Sequence, residues 1–220
     1  LALSVMAGDL ALYTGPTNAG WISDASCKRE ANDIIKGVAK SFSTITDFGD
    51  KKEADLGAWA KSHTGDKKID VIVTVSGTMP GSLYPFPNKE PDGSVVEKFV
   101  DDGNVLINIA DWIGYMSYEG GVRSADNGAD GAANIFDIPG LSFGSRNNVM
   151  KVNDKGKKYL PSLKDFTDDR PWHVEQFKGT DWDVTTFAEA DANNADPAVA
   201  VNKKTGGIIA AMIQKAWPDP

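Results

Sequence analysis

The first half of the chain alternates between two hydrophobic periods. Short, nearly continuous apolar runs at 9–14, 43–48, 69–75 and 104–110 are typical of strands that are buried on both faces. Stretches with helical spacing of apolar residues lie between them, the first over 27–42. Because the two patterns alternate with short connections, we predict right-handed βαβ crossovers and an α/β fold with a doubly wound, mainly parallel sheet.

Two further helices are predicted at 53–63 and 94–103. Ser94 and Glu97 have the spacing of a capping box, which marks the start of the second of these helices. His63 ends the other helix, where the positive form of its ring suits the negative helix end. We therefore expect a surface or capping role for His63 and no part in catalysis.

The pattern weakens after residue 111 and recovers near the carboxyl terminus. Glycine, asparagine and aspartate are frequent in 115–180, which we interpret as an insertion or a long-loop region. Apolar runs at 198–201 and 208–213 flank a turn rich in lysine and glycine, which predicts a C-terminal antiparallel hairpin. A length of 220 residues fits a single domain that spans 1–220.

Composition excludes several classes of protein. A formal charge of -8, without a concentrated basic patch, argues against nucleic-acid binding, which uses Lys and Arg to neutralise phosphates. Cys27 is the only cysteine and lies on the apolar stripe of the first helix, so it predicts neither a disulfide nor a nucleophile. No run approaches the roughly 20 apolar residues that cross a bilayer, so we expect no membrane span.

The two ends of the chain leave the cellular context open. Residues 1–7 are apolar and end in small residues, but no charged segment precedes them. They fit the end of a signal peptide of a secreted or periplasmic protein, or an apolar lead-in to the first strand of a cytoplasmic one. The closing Trp-Pro-Asp-Pro is typical of an interdomain boundary, so a protein-interaction domain of a larger protein is an alternative. An oligomer is compatible with such a fold.

Four segments of the chain together resemble a known superfamily. They read DLALYTG from residue 9, IDVIVTVSGTMPG from residue 69, PDGSVVEKFVDDGNVLINIADW from residue 91 and AVAVNKKTGGIIAAMI from residue 198. Their order is similar to that of the class I glutamine-amidotransferase-like proteins, especially the ThuA-like (trehalose-utilisation) branch. The resemblance covers most of the chain outside 115–180 and implies a flavodoxin-like sheet. It consists of fold-level patterns, which carry no function by themselves.

The resemblance also implies a catalytic cysteine on the turn after the strand at 104–110, where a helix end and a histidine would activate the thiolate. This chain has Asp111 at that turn. A carboxylate cannot act as a thiol nucleophile, so we expect a ThuA-like domain that lacks the family's catalytic cysteine. His173 and Glu175 resemble the H-x-E pair of the family's triad.

One enzymatic alternative stays open at the sequence level. A hydrolase would use His173 and Glu175 together with Asp111 or with Ser76. Ser76 follows a buried strand, as the nucleophile of a serine hydrolase does, but its neighbours do not form the G-x-S-x-G elbow. A loop serine that caps backbone groups is the simpler interpretation.

The segment 126–137 partly matches a calcium loop. Asp126, Asp130 and Asp137 stand at liganding positions, but Gly128 replaces one ligand and Asp137 replaces the longer glutamate. We therefore interpret the segment as an ordinary Asx-turn loop and expect no metal. The sequence contains no phosphate loop and no dinucleotide fingerprint, so no cofactor is expected.

Aromatic residues concentrate in the loops expected at the carboxyl edge of the sheet, where open α/β sheets bind ligands. Aromatic faces beside polar groups hold sugars through stacking and hydrogen bonds to hydroxyls. The candidate ligand-binding residues are Asn18, Trp21, Asp111, Trp112, Tyr115 and Arg123. The leading hypothesis is a non-catalytic domain that binds a small polar ligand such as a carbohydrate. The alternative is that these rings only pack the loops onto the sheet.

Overall fold

The computed structural model describes residues 8–15, 17, 22–85, 92–119 and 122–212, with the backbone alone at 119 and 122–126. Its α-helices are α1 (Asp24–Val38), α2 (Glu53–Ser62), α3 (Val95–Asp101), α4 (Ala129–Ile135) and α5 (Asp154–Tyr159), and a 3-10 helix spans Val174–Phe177. The strands are β1 (Leu10–Tyr13), β2 (Ile45–Asp47), β3 (Val71–Thr74), β4 (Met79–Pro80), β5 (Val105–Ile109), β6 (Met116–Glu119), β7 (Val122–Asp126), β8 (Asn148–Val152), β9 (Phe166–Asp168), β10 (Trp172–His173), β11 (Trp182–Thr186), β12 (Ala188–Glu189), β13 (Asn194–Ala195), β14 (Ala198–Asn202) and β15 (Ile208–Met212).

A seven-stranded sheet forms the centre of the fold, in the order β11-β14-β15-β5-β3-β1-β2. The pairs from β15 to β2 are parallel, whereas β14 pairs antiparallel with both β15 and β11. β1, β2, β3 and β5 each fall within one of the four predicted apolar runs. The predicted α/β fold with a mainly parallel sheet and a C-terminal antiparallel hairpin is therefore confirmed.

Helices cover both faces of this sheet. On one face α1 buries Cys27 against Leu12 and its neighbours, and on the other α2 and α3 bury Leu56 and Phe99 beside Tyr13. Successive strand residues point to opposite faces, which explains why neighbours in β1 belong to different clusters. Burial raises the pKa of Cys27 to about 12, as expected for a core thiol. Among the described residues, no helix has the length and apolar character needed to cross a bilayer.

The region 115–180 carries much more regular structure than the sequence indicated. Most of a five-stranded antiparallel sheet comes from it, in the order β10-β13-β12-β8-β9, and so do two strands of a small sheet ordered β4-β6-β7. These strands are two to five residues long, too short for an alternating pattern to stand out. The prediction of long loops therefore missed them.

Two predicted helix ends are confirmed. Ser94 and Glu97 form a reciprocal capping box, in which the Glu97 amide donates to Ser94 Oγ at 3.2 Å and the Ser94 amide donates to Glu97 Oε2 at 2.7 Å. His63 is the C-cap of α2, and its backbone N–H donates to the carbonyl of Trp59 at 3.1 Å. Local side-chain chemistry thus sets where both helices begin or end.

Replacing Ser94 by Ala is expected to lower the free energy of unfolding by about 1 kcal/mol, because the change leaves the Glu97 amide without its acceptor. Urea denaturation followed by circular dichroism measures the difference. Ser94→Thr keeps a hydroxyl at the cap and serves as the control, so it should retain most of the stability. An equal loss in both variants would mean that packing, and not the cap, accounts for the effect.

Candidate functional site

A network of polar side chains connects the carboxyl ends of β3 and β5. Thr74 Oγ1 donates to Asn108 Oδ1 at 3.0 Å, and Asn108 Nδ2 donates to the backbone oxygen of Asp111 at 2.6 Å. Between the strand and this aspartate, Ala110 has a φ of 87°, in the left-handed region that disfavours an alanine. The two strands therefore hold a strained turn in place, and that turn positions Asp111.

The side chain of Asp111 is almost completely buried, with 1% of the residue exposed. Its Oδ1 accepts from the Trp112 amide at 2.6 Å and lies 3.1 Å from Nε of Arg170. Among the described residues, its Oδ2 has no hydrogen-bond partner. Burial raises the pKa of Asp111 to about 7, although Arg170 and the Trp112 amide act in the opposite direction. This carboxyl group can therefore exchange a proton near neutral pH.

The loop after β3 packs directly on this aspartate. A Cβ atom placed on Gly77 would come within 2.5 Å of Cβ of Asp111, and Gly77 has a φ of 70°, so glycine is required there. On either side of it, the buried Ser76 and Thr78 hydroxyls lie 2.7 Å apart. The hydroxyl of Ser76 is thus engaged with a neighbouring side chain and, within the described residues, not with the backbone groups that a capping serine would bind.

Trp112, whose amide binds the carboxyl group of Asp111, packs against two other aromatic side chains. Trp112 and Tyr115 are half-buried, with ring centroids 5.0 Å apart, and the ring centroid of Phe143 lies 6.2 Å from that of Trp112. Among the residues that the structure describes, Trp112 Nε1 has no hydrogen-bond partner. Trp112 therefore follows Asp111 with its indole nitrogen buried and unpaired among the described residues, and the sugar site stays a prediction.

His173 is held by the backbone. Its Nε2 lies 2.8 Å from the carbonyl oxygen of Gly144, and because a carbonyl only accepts, this nitrogen carries the proton. Nδ1 lies 3.7 Å from Oε1 of Glu175. Within the described part of the chain, no hydrogen bond joins His173 to Ser76 or to Asp111.

Arg170 is the member of the site that sequence reasoning missed. It lies in the segment between β9 and β10, inside the region interpreted as insertion or loop. No local pattern identifies it, since its partner Asp111 belongs to a distant part of the chain. Of the other candidates, Asn18 and Trp21 lie outside the described residues, and so do the side chains of Arg123 and Asp126.

The segment interpreted as a calcium-like loop contains a helix. α4 occupies most of it, with the exposed Asp130 in its first turn and Asp137 just beyond its end, so the expectation of an Asx-turn loop was wrong. A calcium loop would have to wrap its ligands around the ion, which a continuous helix prevents. Within the described ranges, no three His, Cys, Asp or Glu side chains converge as metal ligands do.

Comparison with known proteins supports the fold. The chain is similar to the crystal structure of a protein from Bacteroides uniformis that is described as ThuA-like, with a TM-score of 0.54 and 12% sequence identity. The match covers 98% of this chain and 85% of the other. No protein-family model and no curated protein matches the sequence. At this identity the similarity concerns the fold, which is that of a ThuA-like protein.

Proposed function

We propose that this chain is a non-catalytic ThuA-like domain of the glutamine-amidotransferase-like superfamily that binds a small polar ligand, a carbohydrate by class, at the carboxyl edge of its sheet. The observation that carries the proposal is the buried Asp111 Oδ2, which lacks a hydrogen-bond partner among the described residues. A buried polar atom without a partner costs about 1–3 kcal/mol, which a ligand that donates to it would recover.

The chemistry of the surroundings favours a polyhydroxylated ligand. Asp111 Oδ2 is buried, so a sugar hydroxyl reaches it only when the side chains that cover it move aside. An apolar face of the sugar ring can then stack on the half-buried Trp112 or Tyr115. Ionised Asp111 and Arg170 have opposite charges at 3.1 Å, so the pair contributes no net charge to the site. A neutral ligand suits such a site better than an ion does.

A hydrolase that uses His173 and Glu175 receives less support from the geometry. A general base must reach the proton that it abstracts at roughly 2.6–3.2 Å. The unprotonated Nδ1 of His173, the atom that would act as the base, lies 3.7 Å from Oε1 of Glu175, and the Ser76 hydroxyl is paired with Thr78. The arrangement thus favours recognition of a ligand by Asp111 over nucleophilic chemistry at Ser76.

Replacing Asp111 by Ala is expected to weaken binding of the sugar that the native chain binds by tenfold or more, because a hydrogen bond to a charged group is worth about 1.5–3 kcal/mol. A panel of neutral mono- and disaccharides is first screened by ligand-observed NMR, and the hits are measured by calorimetry. Trp112→Leu removes the stacking surface while Asp111 stays, so it should also weaken binding.

Asp130→Ala, at an exposed position, is the matched control and should leave the affinity unchanged. Circular dichroism verifies that each variant is folded. If the native chain binds no sugar in the panel, or if the control loses as much affinity as the two site variants, the carbohydrate proposal is wrong.

A further inference from the structure

A groove lies between the carboxyl end of α2 and the amino end of α3. Its volume is about 480 Å³, which falls within the range of small-molecule sites. It shares no residue with the site at Asp111. The residues that line it are Lys61, Thr64, Gly93, Ser94, Val95 and Lys98.

Two lysines supply the positive charge of this groove. Lys61 comes from the last turn of α2 and Lys98 from α3, and both are exposed. Neither lysine forms an ion pair with any of the described residues. Two like charges from different helices therefore face one cavity.

Three carboxylates belong to α3 or its C-cap. Burial, and after it the negative charge of Asp92, raises the pKa of Asp101 in the last turn to about 6, and the other two carboxylates are held by the backbone. Glu97 Oε2 accepts from the Ser94 amide at 2.7 Å as part of the capping box. Asp102, the C-cap of α3, accepts from the Gly65 amide at 2.6 Å through Oδ2. Glu97 and Asp102 each have a structural role of their own.

The remaining walls combine hydroxyl and apolar groups. Thr64 Oγ1 donates to the carbonyl of Ala60 at 2.9 Å, which fixes the direction of its side chain. Val95 is half-buried and presents apolar surface beside the lysines. An occupant with an anionic group and a small organic body would match both parts of the lining.

We propose that the groove between α2 and α3 binds a phosphate group, with Lys61 and Lys98 as its two cationic contacts. Lysine binds phosphate as a point charge, and a dianion is complementary to two ammonium groups that lack carboxylate partners. The phosphate is either free or part of a small phosphate monoester, whose organic body would contact Val95.

The test is a titration followed by ¹H–¹⁵N NMR. Sodium phosphate is added at pH 7.5 and compared with sodium chloride at equal ionic strength, because screening alone shifts the signals of exposed charges. Phosphate, and not chloride, is expected to shift the amides of Thr64, Ser94, Val95 and Lys98. A second titration with glycerol 3-phosphate distinguishes the two sources: tighter binding than that of inorganic phosphate indicates a monoester, and weaker binding indicates the free ion.

The double variant K61Q/K98Q should weaken phosphate binding by about tenfold or more, since it removes both charge-assisted contacts. K28Q/K40Q is the matched control, because it removes two exposed lysines of α1 and the turn that follows it. The proposal is overturned if phosphate and chloride cause the same shifts, or if both double variants bind phosphate like the native chain. These results are independent of the sugar experiment, which concerns Asp111.

Discussion

Replacing Phe136 by Ala is expected to lower the free energy of unfolding by about 3–5 kcal/mol, the usual cost of removing a buried aromatic ring. Phe136 has an exposure of 0% and lies at the centre of an aromatic cluster. Its ring centroid is 5.0 Å from that of Trp182, 5.3 Å from Phe177, 5.6 Å from Trp172 and 6.4 Å from Phe143. Three of these four contacts are edge-to-face. Such contacts stabilise the core beyond what the burial of apolar area contributes, so their removal adds to the loss of unfolding free energy.

Urea denaturation measures this loss, with Tyr159→Ala as the control. Tyr159 is 60% exposed, so its removal should change the free energy of unfolding by less than about 0.5 kcal/mol. The loss of unfolding free energy for Phe136→Leu should lie between those of the other two variants, because leucine retains part of the buried volume. A loss below about 1 kcal/mol for Phe136→Ala would contradict the central role of this ring, since a cavity of that size is costly in a packed core.

This cluster also bears on the candidate site. Trp172 begins β10, two residues after Arg170, and its packing against Phe136 anchors the segment that brings the guanidinium to Asp111. The contacts that stabilise the region 115–180 therefore also complete the site. Loss of the cluster would be expected to loosen the ion pair as well as the fold.

The sequence was sufficient where local patterns decide the structure. The run IDVIVTV contains β3 and the run NVLINIA contains β5, because a strand buried on both faces needs a continuous apolar segment. The capping box at Ser94 was identified for a similar reason, as its two hydrogen bonds join residues three apart. The turn before β15 was also predictable from its glycine and lysine residues.

The sequence was insufficient where contacts between residues far apart in the chain decide the structure. β10 packs through Trp172 into the aromatic cluster, in which Phe136 also contacts Trp182 from far along the chain. Asp111 and Trp112 could be placed at the carboxyl edge because they follow β5 after a single residue. Arg170 could not, since only the completed fold brings it to 3.1 Å from the carboxylate.

Between about pH 4 and pH 7, the native protein is expected to lose stability as the pH rises, and Asp111→Asn should remove a large part of this slope. The ordinary pKa of an aspartate is 3.8, and burial raises that of Asp111 to about 7 in the native state. In this interval the native state keeps a proton that the unfolded chain has released. Stability contributed by that proton is therefore complete below pH 4 and lost as the pH passes 7.

The difference of about three pH units corresponds to a change on the order of 4 kcal/mol. Asp168 is also completely buried, and burial raises its pKa to about 7, so the variant should keep a smaller slope of the same sign. The measurement is the free energy of unfolding by urea at pH 4.5, 5.5, 6.5 and 7.5 for the native chain and for Asp111→Asn. The exposed Asp130→Asn is the control and should reproduce the native slope.

If the plots of unfolding free energy against pH are parallel for the native chain and Asp111→Asn, Asp111 does not hold the proton. The role proposed for Asp111 would then be wrong. A flatter curve for the variant would have a clear physical meaning. The oxygen that lacks a partner makes the ionised native state costly, and a ligand that donates a hydrogen bond to that oxygen would reduce the same cost. The instability of Asp111 at neutral pH and the proposed affinity for a hydroxylated ligand would then have one cause.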